Sequence, residues 1–281
     1  MTPEAVLEPR RAAPGGPLVR VRMTLAYDGT EFHGFAEQPG LRTVAGTLRA
    51  AIERVVGHPV VLVGAGRTDR GVHARAQVVS FDVVQDTDLA ALRRRVGRLT
   101  AADLAVVSIE EAPASFDARF SATSRRYRYT ICNRDVPDPL LRRSAWWVPE
   151  PLDLNLLRLA VDPLIGEHDF SSFCRRPRGT GDRVSLVRRV LDASWEDAGE
   201  GILHFWIEAN AFCHQMVRSI TGTLVGTGTG GRPRPGELLG VLGARDRAAA
   251  GQIAPPHGLV LWEVRYPSSF GLSPPPDPPK L

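Results

Sequence analysis

Residues Gly64–Asp82 read GAGRTDRGVHARAQVVSFD, and the rest of the fold is organised around this stretch. An apolar run, Val60–Val63, precedes it. After Ala76, apolar and polar residues alternate as in a half-buried strand. The middle is therefore predicted to be a loop between two strands. Glycines on both sides of this loop let the backbone turn sharply and approach a ligand.

The loop carries one carboxylate, Asp69, among the guanidinium groups of Arg67, Arg70 and Arg75. Neighbouring positive charges favour the ionised carboxylate, so Asp69 is predicted to be an anion that can act as a nucleophile or a base. The alternative is a solvated turn residue, the commoner role of an aspartate in a polar loop. The loop alone leaves both interpretations open.

Length and composition limit the class of protein. A chain of 281 residues suits one large domain or two smaller ones. No apolar run reaches the roughly 18 residues of a membrane span, and residues 1–17 lack the apolar centre of a secretory signal, so we expect a soluble, cytoplasmic protein. Cys132, Cys174 and Cys213 lie far apart without CxxC spacing, which predicts three small buried side chains and neither a zinc site nor a disulfide.

The basic residues are almost all arginine. The net charge of +4 permits a polyanionic partner. Lys280 is the only lysine, so 34 of the 35 basic residues are arginine, in a chain that is also rich in alanine, glycine and proline. Such a bias follows from base composition as readily as from function. Only clusters of arginine are therefore taken to indicate binding of a polyanion.

The first half of the chain predicts the order strand, helix, strand, strand, helix, strand, strand. This is the split β-α-β order of a ferredoxin-like, α+β fold, an antiparallel sheet with helices on one face. Thr43 is the expected cap of the first helix and Gly57 its stop, and Asp86 or Thr87 is the expected cap of the second. The strands are expected at 19–27, 60–63, 78–82, 104–109 and 124–131, and the second helix is expected to turn Leu89, Leu92, Val96 and Leu99 inward.

The second half predicts another set of strands and helices. A polar stretch, 166–183, is expected to form a long loop, and a helix is expected to begin near Phe212. The other expected elements are a helix at 154–161, hairpin strands at 186–195 and 202–209, a helix at 237–242 and a strand at 259–264. We thus predict two ferredoxin-like halves around a central cleft, at 18–148 and 149–267, with a disordered lead at 1–17 and a disordered proline-rich tail at 268–281.

Several common catalytic motifs are missing. The glycine-rich stretch Gly226–Gly231 follows a helix rather than a strand, so it does not predict a nucleotide loop. HExxH and GxSxG are absent, which disfavours a metalloprotease and a serine hydrolase. Asp69, Tyr127 and Arg218 instead suit one task, which is to hold a flat base over a carboxylate. Taken singly, Tyr127 is typical of sheet packing and Arg218 of a structural ion pair.

Six segments, in order along the chain, closely resemble the TruA family of tRNA pseudouridine synthases. The resemblance covers nearly all of 19–266, and the order of all six makes it specific. The segments are Tyr27–Phe35 (YDGTEFHGF), Gly64–Ala74 (GAGRTDRGVHA), Arg125–Ile131 (RRYRYTI), Gly166–Phe173 (GEHDFSSF), Phe212–Gly228 (FCHQMVRSITGTLVGTG) and Ala254–Leu261 (APPHGLVL). Phe35, Ala36, Arg70 and Cys213 depart from the family's usual residues.

The resemblance implies an isomerase that converts uridine to pseudouridine at positions 38, 39 and 40 of the tRNA anticodon arm, without a cofactor or metal. Asp69 would be the nucleophile, Tyr127 would stack on the uracil and Arg218 would pair with Asp69. Further substrate contacts are expected from Arg67, Arg70, His73 and Leu259. The family acts as a homodimer, so a twofold dimer is expected. Whether Asp69 attacks C1′, promotes glycal formation or adds to C6 stays open, as does a non-catalytic tRNA-binding module.

Binding of tRNA also needs contacts to phosphate. Clustered arginines are the candidates for this role. They are Arg93, Arg94, Arg95, Arg125, Arg126, Arg142, Arg143, Arg175, Arg176 and Arg178.

Overall fold

The computed structural model describes residues 15–176 and 184–272. Within them the strands are β1 (Leu18–Tyr27), β2 (Val63–Gly64), β3 (His73–Val84), β4 (Leu104–Glu111), β5 (Ser124–Cys132), β6 (Trp146–Trp147), β7 (Gly166–Asp169), β8 (Val187–Gly199), β9 (Ile202–Ala209) and β10 (Leu259–Arg265). The α-helices are α1 (Val44–Val56), α2 (Leu89–Leu99), α3 (Leu154–Val161), α4 (Met216–Gly228) and α5 (Leu238–Ala244).

All ten of these strands form one sheet. Its main path is β4-β1-β3-β10-β5-β9-β8-β7, with β2 paired to β3 and β6 paired to β5. The predicted α+β class and the order of elements in the first half are confirmed. The sheet is mixed rather than wholly antiparallel, because β10 pairs in parallel with β3 and antiparallel with β5. Because β10 of the second predicted half pairs with β3 and β5 of the first, the two predicted halves share one sheet. The boundary at 148 stays a prediction.

The predicted ends of α1 are confirmed. Thr43 caps α1 by accepting a hydrogen bond from the Gly46 amide, and Gly57 ends it in the left-handed conformation at φ +80°. The predicted cap of α2 is wrong. Asp88 caps it by accepting from the Ala91 amide, while the Thr87 hydroxyl donates to the carbonyl of Val84.

Two expectations about helices and loops are corrected by burial and backbone geometry. Leu99, expected to face inward, is 40% exposed because it is the last residue of α2. The stretch predicted as a loop at 166–183 contains β7 and a 3-10 turn at Ser171–Phe173. The aromatic rings of Phe170 and Phe173 are fully buried, and they anchor this otherwise polar segment. The remainder of the predicted loop, 177–183, lies outside the described residues.

The start of α4 and the predicted tail also differ from expectation. The helix begins at Met216 rather than near Phe212, because Gln215 takes the left-handed conformation. The predicted tail is wrong in its first residues, since Ser268–Phe270 form a 3-10 turn whose Phe270 ring lies 5.5 Å from that of Phe116. The predicted disorder of residues 1–14 and 273–281 falls outside the described residues.

Two of the three cysteines are paired. Cys174 and Cys213 form a disulfide with their Cα atoms 5.7 Å apart, so the prediction of three unpaired cysteines is wrong for these two. They are 39 residues apart in sequence, and only the folding of two loops onto each other brings them together. Cys132 is a buried free thiol, as expected. None of the helices within 15–176 and 184–272 has both the length and the apolar character needed to cross a bilayer.

Candidate active site

The Asp69 loop is anchored by a buried arginine. Arg125 is only 8% exposed, and its Nε and Nη2 donate to the Ala65 carbonyl at 3.1 and 2.9 Å. Its Nη1 donates to the Asn210 carbonyl at 2.8 Å. Burial lowers the pKa of Arg125 from its ordinary value. The prediction that Arg125 contacts phosphate is therefore wrong, because its guanidinium is buried and donates to backbone carbonyls inside the protein.

A buried amide and a buried phenol hold the next part of the loop. Gln77 is fully buried, its Nε2 donates to the Gly66 carbonyl at 2.8 Å, and its Oε1 accepts from the Gly66 amide at 3.4 Å. The Tyr27 hydroxyl lies 2.8 Å from Thr68 Oγ1. Burial raises the pKa of Tyr27 to about 12, so it is a neutral phenol at physiological pH. These contacts fix Gly66 and Thr68, which precede Asp69 in the loop.

The first of the six motif segments packs directly on this loop. The Phe35 amide donates to the Thr68 carbonyl at 3.0 Å. Gly34 has φ +94°, and a Cβ there would lie 3.0 Å from the same carbonyl. A Cβ at Gly29 would overlap the carbonyl of Val72. Both glycines are thus needed where two backbone segments meet.

His73 links this contact to the end of the chain instead of reaching outward. It is 8% exposed, its Nδ1 accepts from the Gly29 amide at 3.0 Å, and its Nε2 lies 3.0 Å from the His257 carbonyl. An Nδ1 that accepts leaves the proton on Nε2, where it donates to that carbonyl. His73 thus bonds within the protein through both ring nitrogens, and the substrate contact expected of it stays a prediction.

The Asp69 carboxylate meets Arg218 of α4. Arg218 Nη1 donates to Asp69 Oδ2 at 2.9 Å, with the two side chains 14% and 21% exposed. Arg218 Nε donates to the Ala254 carbonyl at 2.8 Å, and the Ala254 amide donates back to the Arg218 carbonyl at 3.0 Å. The ion pair that the resemblance implies is present. The guanidinium is aimed by the backbone of the last motif segment.

His214 is a second neighbour of Asp69 that the sequence did not single out. Its Nε2 lies 3.3 Å from Asp69 Oδ1, and its side chain is 45% exposed. The available signal was its position four residues before Arg218, which suggested a shared helix face. The structure places His214 in the turn before α4, so helical periodicity does not explain the contact.

Two of the predicted substrate contacts, Tyr127 and Leu259, are buried side chains. Tyr127 is 7% exposed, and its ring packs edge-on against Phe212 with centroids 5.0 Å apart. Burial raises the pKa of the Tyr127 hydroxyl, and the charge of Asp69 adds to this rise, so Tyr127 is a neutral phenol close to the carboxylate. Leu259 is buried at the start of β10, opposite Tyr129 of β5.

The remaining predicted contacts fall into three groups. Arg67 and Arg70 are exposed beside Asp69. Arg126 is half-buried on the other face of the sheet, with its guanidinium 4.6 Å from the Trp206 ring centroid, so it does not reach this site. The exposed candidates for phosphate are Arg93, Arg94, Arg95, Arg142, Arg143, Arg175 and Arg176. Arg178 lies outside the described residues.

The arrangement suits chemistry by a carboxylate. Asp69 lies between a guanidinium and an imidazole, near a neutral phenol, and its side chain is still 21% exposed. Such a carboxylate can serve as a nucleophile or base towards a flat substrate. Among the described residues, no group of three or more His, Cys, Asp or Glu side chains could hold a metal ion.

Known proteins match most of this chain in sequence. The model of a family described as tRNA pseudouridine synthase matches residues 23–121 and 160–267. A tRNA pseudouridine synthase A of Frankia casuarinae is 44% identical over 256 residues, covering 89% of this chain and 90% of that protein. Another of Brevibacillus brevis is 42% identical over 249 residues, covering 88% and 99%.

A solved structure gives a weaker likeness. A chain from the crystal structure of the archaeal box H/ACA sRNP Nop10-Cbf5 complex has a TM-score of 0.30 and 12% identity, over 73% of this chain and 44% of that one. This score is too low to support an argument. The family model and the long matches to curated proteins are sufficient on their own, and the chain belongs to the tRNA pseudouridine synthase family.

Proposed function

We propose that this protein isomerises uridine to pseudouridine in tRNA, at positions 38, 39 and 40 of the anticodon arm. The observation that carries the proposal is the Asp69–Arg218 ion pair, 2.9 Å long, next to Tyr127 in a chain of this family. A module that only bound tRNA would need basic surface, but it would not need a carboxylate aimed by a partly buried arginine. The geometry thus favours the enzyme over the non-catalytic alternative.

The reaction needs no outside reactant. The C1′–N1 bond of uridine breaks, the uracil turns, and a C1′–C5 bond forms, while the proton on C5 is lost and N1 gains one. Atoms and electrons balance without a redox partner. Arg218 aims the Asp69 carboxylate through their ion pair, and Tyr127 offers a flat ring for the uracil. Attack of Asp69 on C1′, glycal formation and addition to C6 are all compatible with this arrangement.

The substrate must be deformed before it reacts. A base within a stem has to leave its stack to meet Asp69, at a cost of roughly a few kcal/mol. Contacts between exposed arginines and phosphate would offset that cost. Arg67 and Arg70, which are exposed beside Asp69, are the candidates for contacts with the RNA around the displaced base. Binding through such contacts should weaken steeply as the salt concentration rises.

We further propose that two copies pair through the face of the sheet that carries Arg126. There the guanidinium of Arg128 lies 4.0 Å from the Trp262 ring centroid, and the Trp206 and Trp262 rings are 5.2 Å apart. This partly open surface, which also holds Arg75, bears both signs of charge, because Asp192 and Glu196 on β8 lie beside the arginines. Mixed charge can be self-complementary across a twofold axis, whereas a surface that binds RNA is usually of one sign.

Light scattering tests the pairing. The protein should have twice the monomer mass, and Trp262→Glu should shift it to the monomer, because the substitution places an unpaired charge at the centre of this surface. Circular dichroism of Trp262→Glu checks that the fold is kept. A wild type that is monomeric at micromolar concentration would rule the dimer out.

The activity is tested by mapping pseudouridine, nucleotide by nucleotide, in unmodified tRNA transcripts. Wild type and Asp69→Ala are compared at equal saturation with tRNA. We expect the wild type to modify the anticodon arm and the variant to bind tRNA without reacting. If both proteins bind but neither forms pseudouridine, the binding-module hypothesis replaces the enzyme. Modification outside positions 38–40 would keep the enzyme and reject the proposed target.

A further inference from the structure

We propose that His214 is a positioning residue that fixes the plane of the Asp69 carboxylate; the inference rests on the proposed function. Its basis is the way the two carboxylate oxygens are shared. Oδ2 accepts from Arg218 Nη1 at 2.9 Å, and Oδ1 faces His214 Nε2 at 3.3 Å. Each oxygen thus has a different partner, one from α4 and one from the turn just before it.

Arg218 alone leaves the carboxylate free to turn. An arginine holds a carboxylate most rigidly when two of its N–H groups grip both oxygens. Here Arg218 Nε is committed to the Ala254 carbonyl at 2.8 Å, so Asp69 receives one guanidinium hydrogen bond. A carboxylate held at one oxygen can still rotate about its Cβ–Cγ bond. A donor on the other oxygen removes that freedom, and His214 Nε2 is placed to be this donor.

The backbone around His214 is built to hold it there. Gln215 has φ +66°, a conformation that costs a non-glycine residue energy and often marks functional positions. The Met216 amide donates to the Cys213 carbonyl at 3.1 Å, which closes the turn. The Arg175 amide donates to the His214 carbonyl at 2.9 Å, and Cys213 is bonded to Cys174. The imidazole is therefore presented from a turn fixed on both sides.

The contact suits donation in either charge state of the ring. The charged neighbour of the His214 ring is the Asp69 carboxylate, which also bonds Arg218 of α4, while Arg175 after β7 meets His214 through its backbone amide. A neutral imidazole with its proton on Nε2 and an imidazolium can both donate to Oδ1. A bound uracil would exclude water from the partly open site and strengthen this contact between His214 and Asp69. His214 thereby acts through Asp69 rather than on the substrate.

The test separates positioning from folding and from binding. Single-turnover rate constants at saturating tRNA, tRNA affinity and thermal stability are measured for wild type, His214→Leu and His214→Gln. Leucine removes the donor, whereas the glutamine amide can replace it. We expect His214→Leu to lower the rate constant about 10- to 100-fold, the scale of a misplaced reacting group, with tRNA affinity unchanged within about twofold. His214→Gln should recover most of the rate.

The control is His168→Gln, at a half-buried histidine of β7 that should keep the wild-type rate. The proposal is overturned if His214→Leu reacts at the wild-type rate, if glutamine fails to recover activity while the variant stays folded, or if affinity falls as much as rate. Failure of the proposed function looks different, because the wild type itself would then form no pseudouridine. A wild type that reacts, with an indifferent His214→Leu, rejects this inference alone.

Discussion

Two loops meet at the Asp69 carboxylate, and they are held in place by different means. The loop that carries Asp69 is anchored from within the sheet by buried side chains, Arg125 and Gln77, which bond its backbone. The turn that carries His214 is anchored at the surface, by a disulfide, a left-handed residue and two backbone hydrogen bonds. The first loop depends on satisfied buried polar groups, and the second depends on local geometry. Substitution of the anchors of the Asp69 loop should therefore cost more stability and activity than loss of the anchors of the His214 turn.

The largest effect is expected for Arg125→Lys. Lysine keeps the charge but cannot donate to Ala65, Asn210 and Arg119 at once, so buried carbonyls lose partners that the fork-shaped guanidinium supplied. We expect the free energy of unfolding to fall by about 2–4 kcal/mol and the single-turnover rate constant by about 100-fold as Asp69 is displaced. Urea denaturation and single-turnover assays measure the two losses.

Arg128→Lys provides the control for this prediction, because it makes the same substitution on the opposite face of the same strand. There the loss is the cation–π contact with Trp262 at 4.0 Å and a longer one with Trp206 at 5.8 Å, each worth about 0.5–1 kcal/mol at most, and the rate constant should stay within about twofold of wild type. Equal losses in the two variants would show that the Asp69 loop does not depend specifically on Arg125.

A smaller effect is expected for Gln77→Leu. Leucine has nearly the same shape, but it leaves the carbonyl and amide of Gly66 without their partner, at a cost of about 1–3 kcal/mol. Because Arg125 still holds Ala65, the rate constant should fall only about 10-fold. The exposed Gln85→Leu is the matched control, and the same two assays apply. A larger loss for Gln77→Leu than for Arg125→Lys would reverse the order of the two anchors.

The contrast between Arg125 and Arg128 also shows how far sequence reasoning can reach. The alternation of residue types along β5 matches its two faces, with Tyr127 and Tyr129 on one and Arg126 and Arg128 on the other. It did not reveal that Arg125, on the tyrosine side, would be buried, because no local pattern distinguishes an arginine that meets phosphate from one that meets carbonyls. The answer depends on which loops lie above the strand, and only the fold settles that.

The same limit applies to the site. Motifs identified Asp69, Tyr127 and Arg218, because these residue types follow from the chemistry of holding a base. The internal bonds of His73 were not foreseen, since its partners Gly29 and His257 are distant in sequence. His214 and the pairing of Cys174 with Cys213 were missed for a similar reason, since both arise where the turn at 212–215 meets another loop. Contacts between loops leave no periodic trace in the sequence.

The smallest effect is expected from opening the disulfide. Because the hydrogen bonds from Arg175 to His214 and from Met216 to Cys213 do not involve sulfur, they should keep the turn near its place, and the rate constant should fall only a few-fold on reduction. Alkylation in denaturant, read by intact mass, checks the pairing itself. One added group is expected before reduction, on Cys132, and three are expected after it. Cys174→Ser should match the rate of the reduced enzyme and should not respond to reductant. Three groups before reduction would mean that both cysteines are thiols in solution, and the turn would then owe its position to Gln215 and the backbone alone.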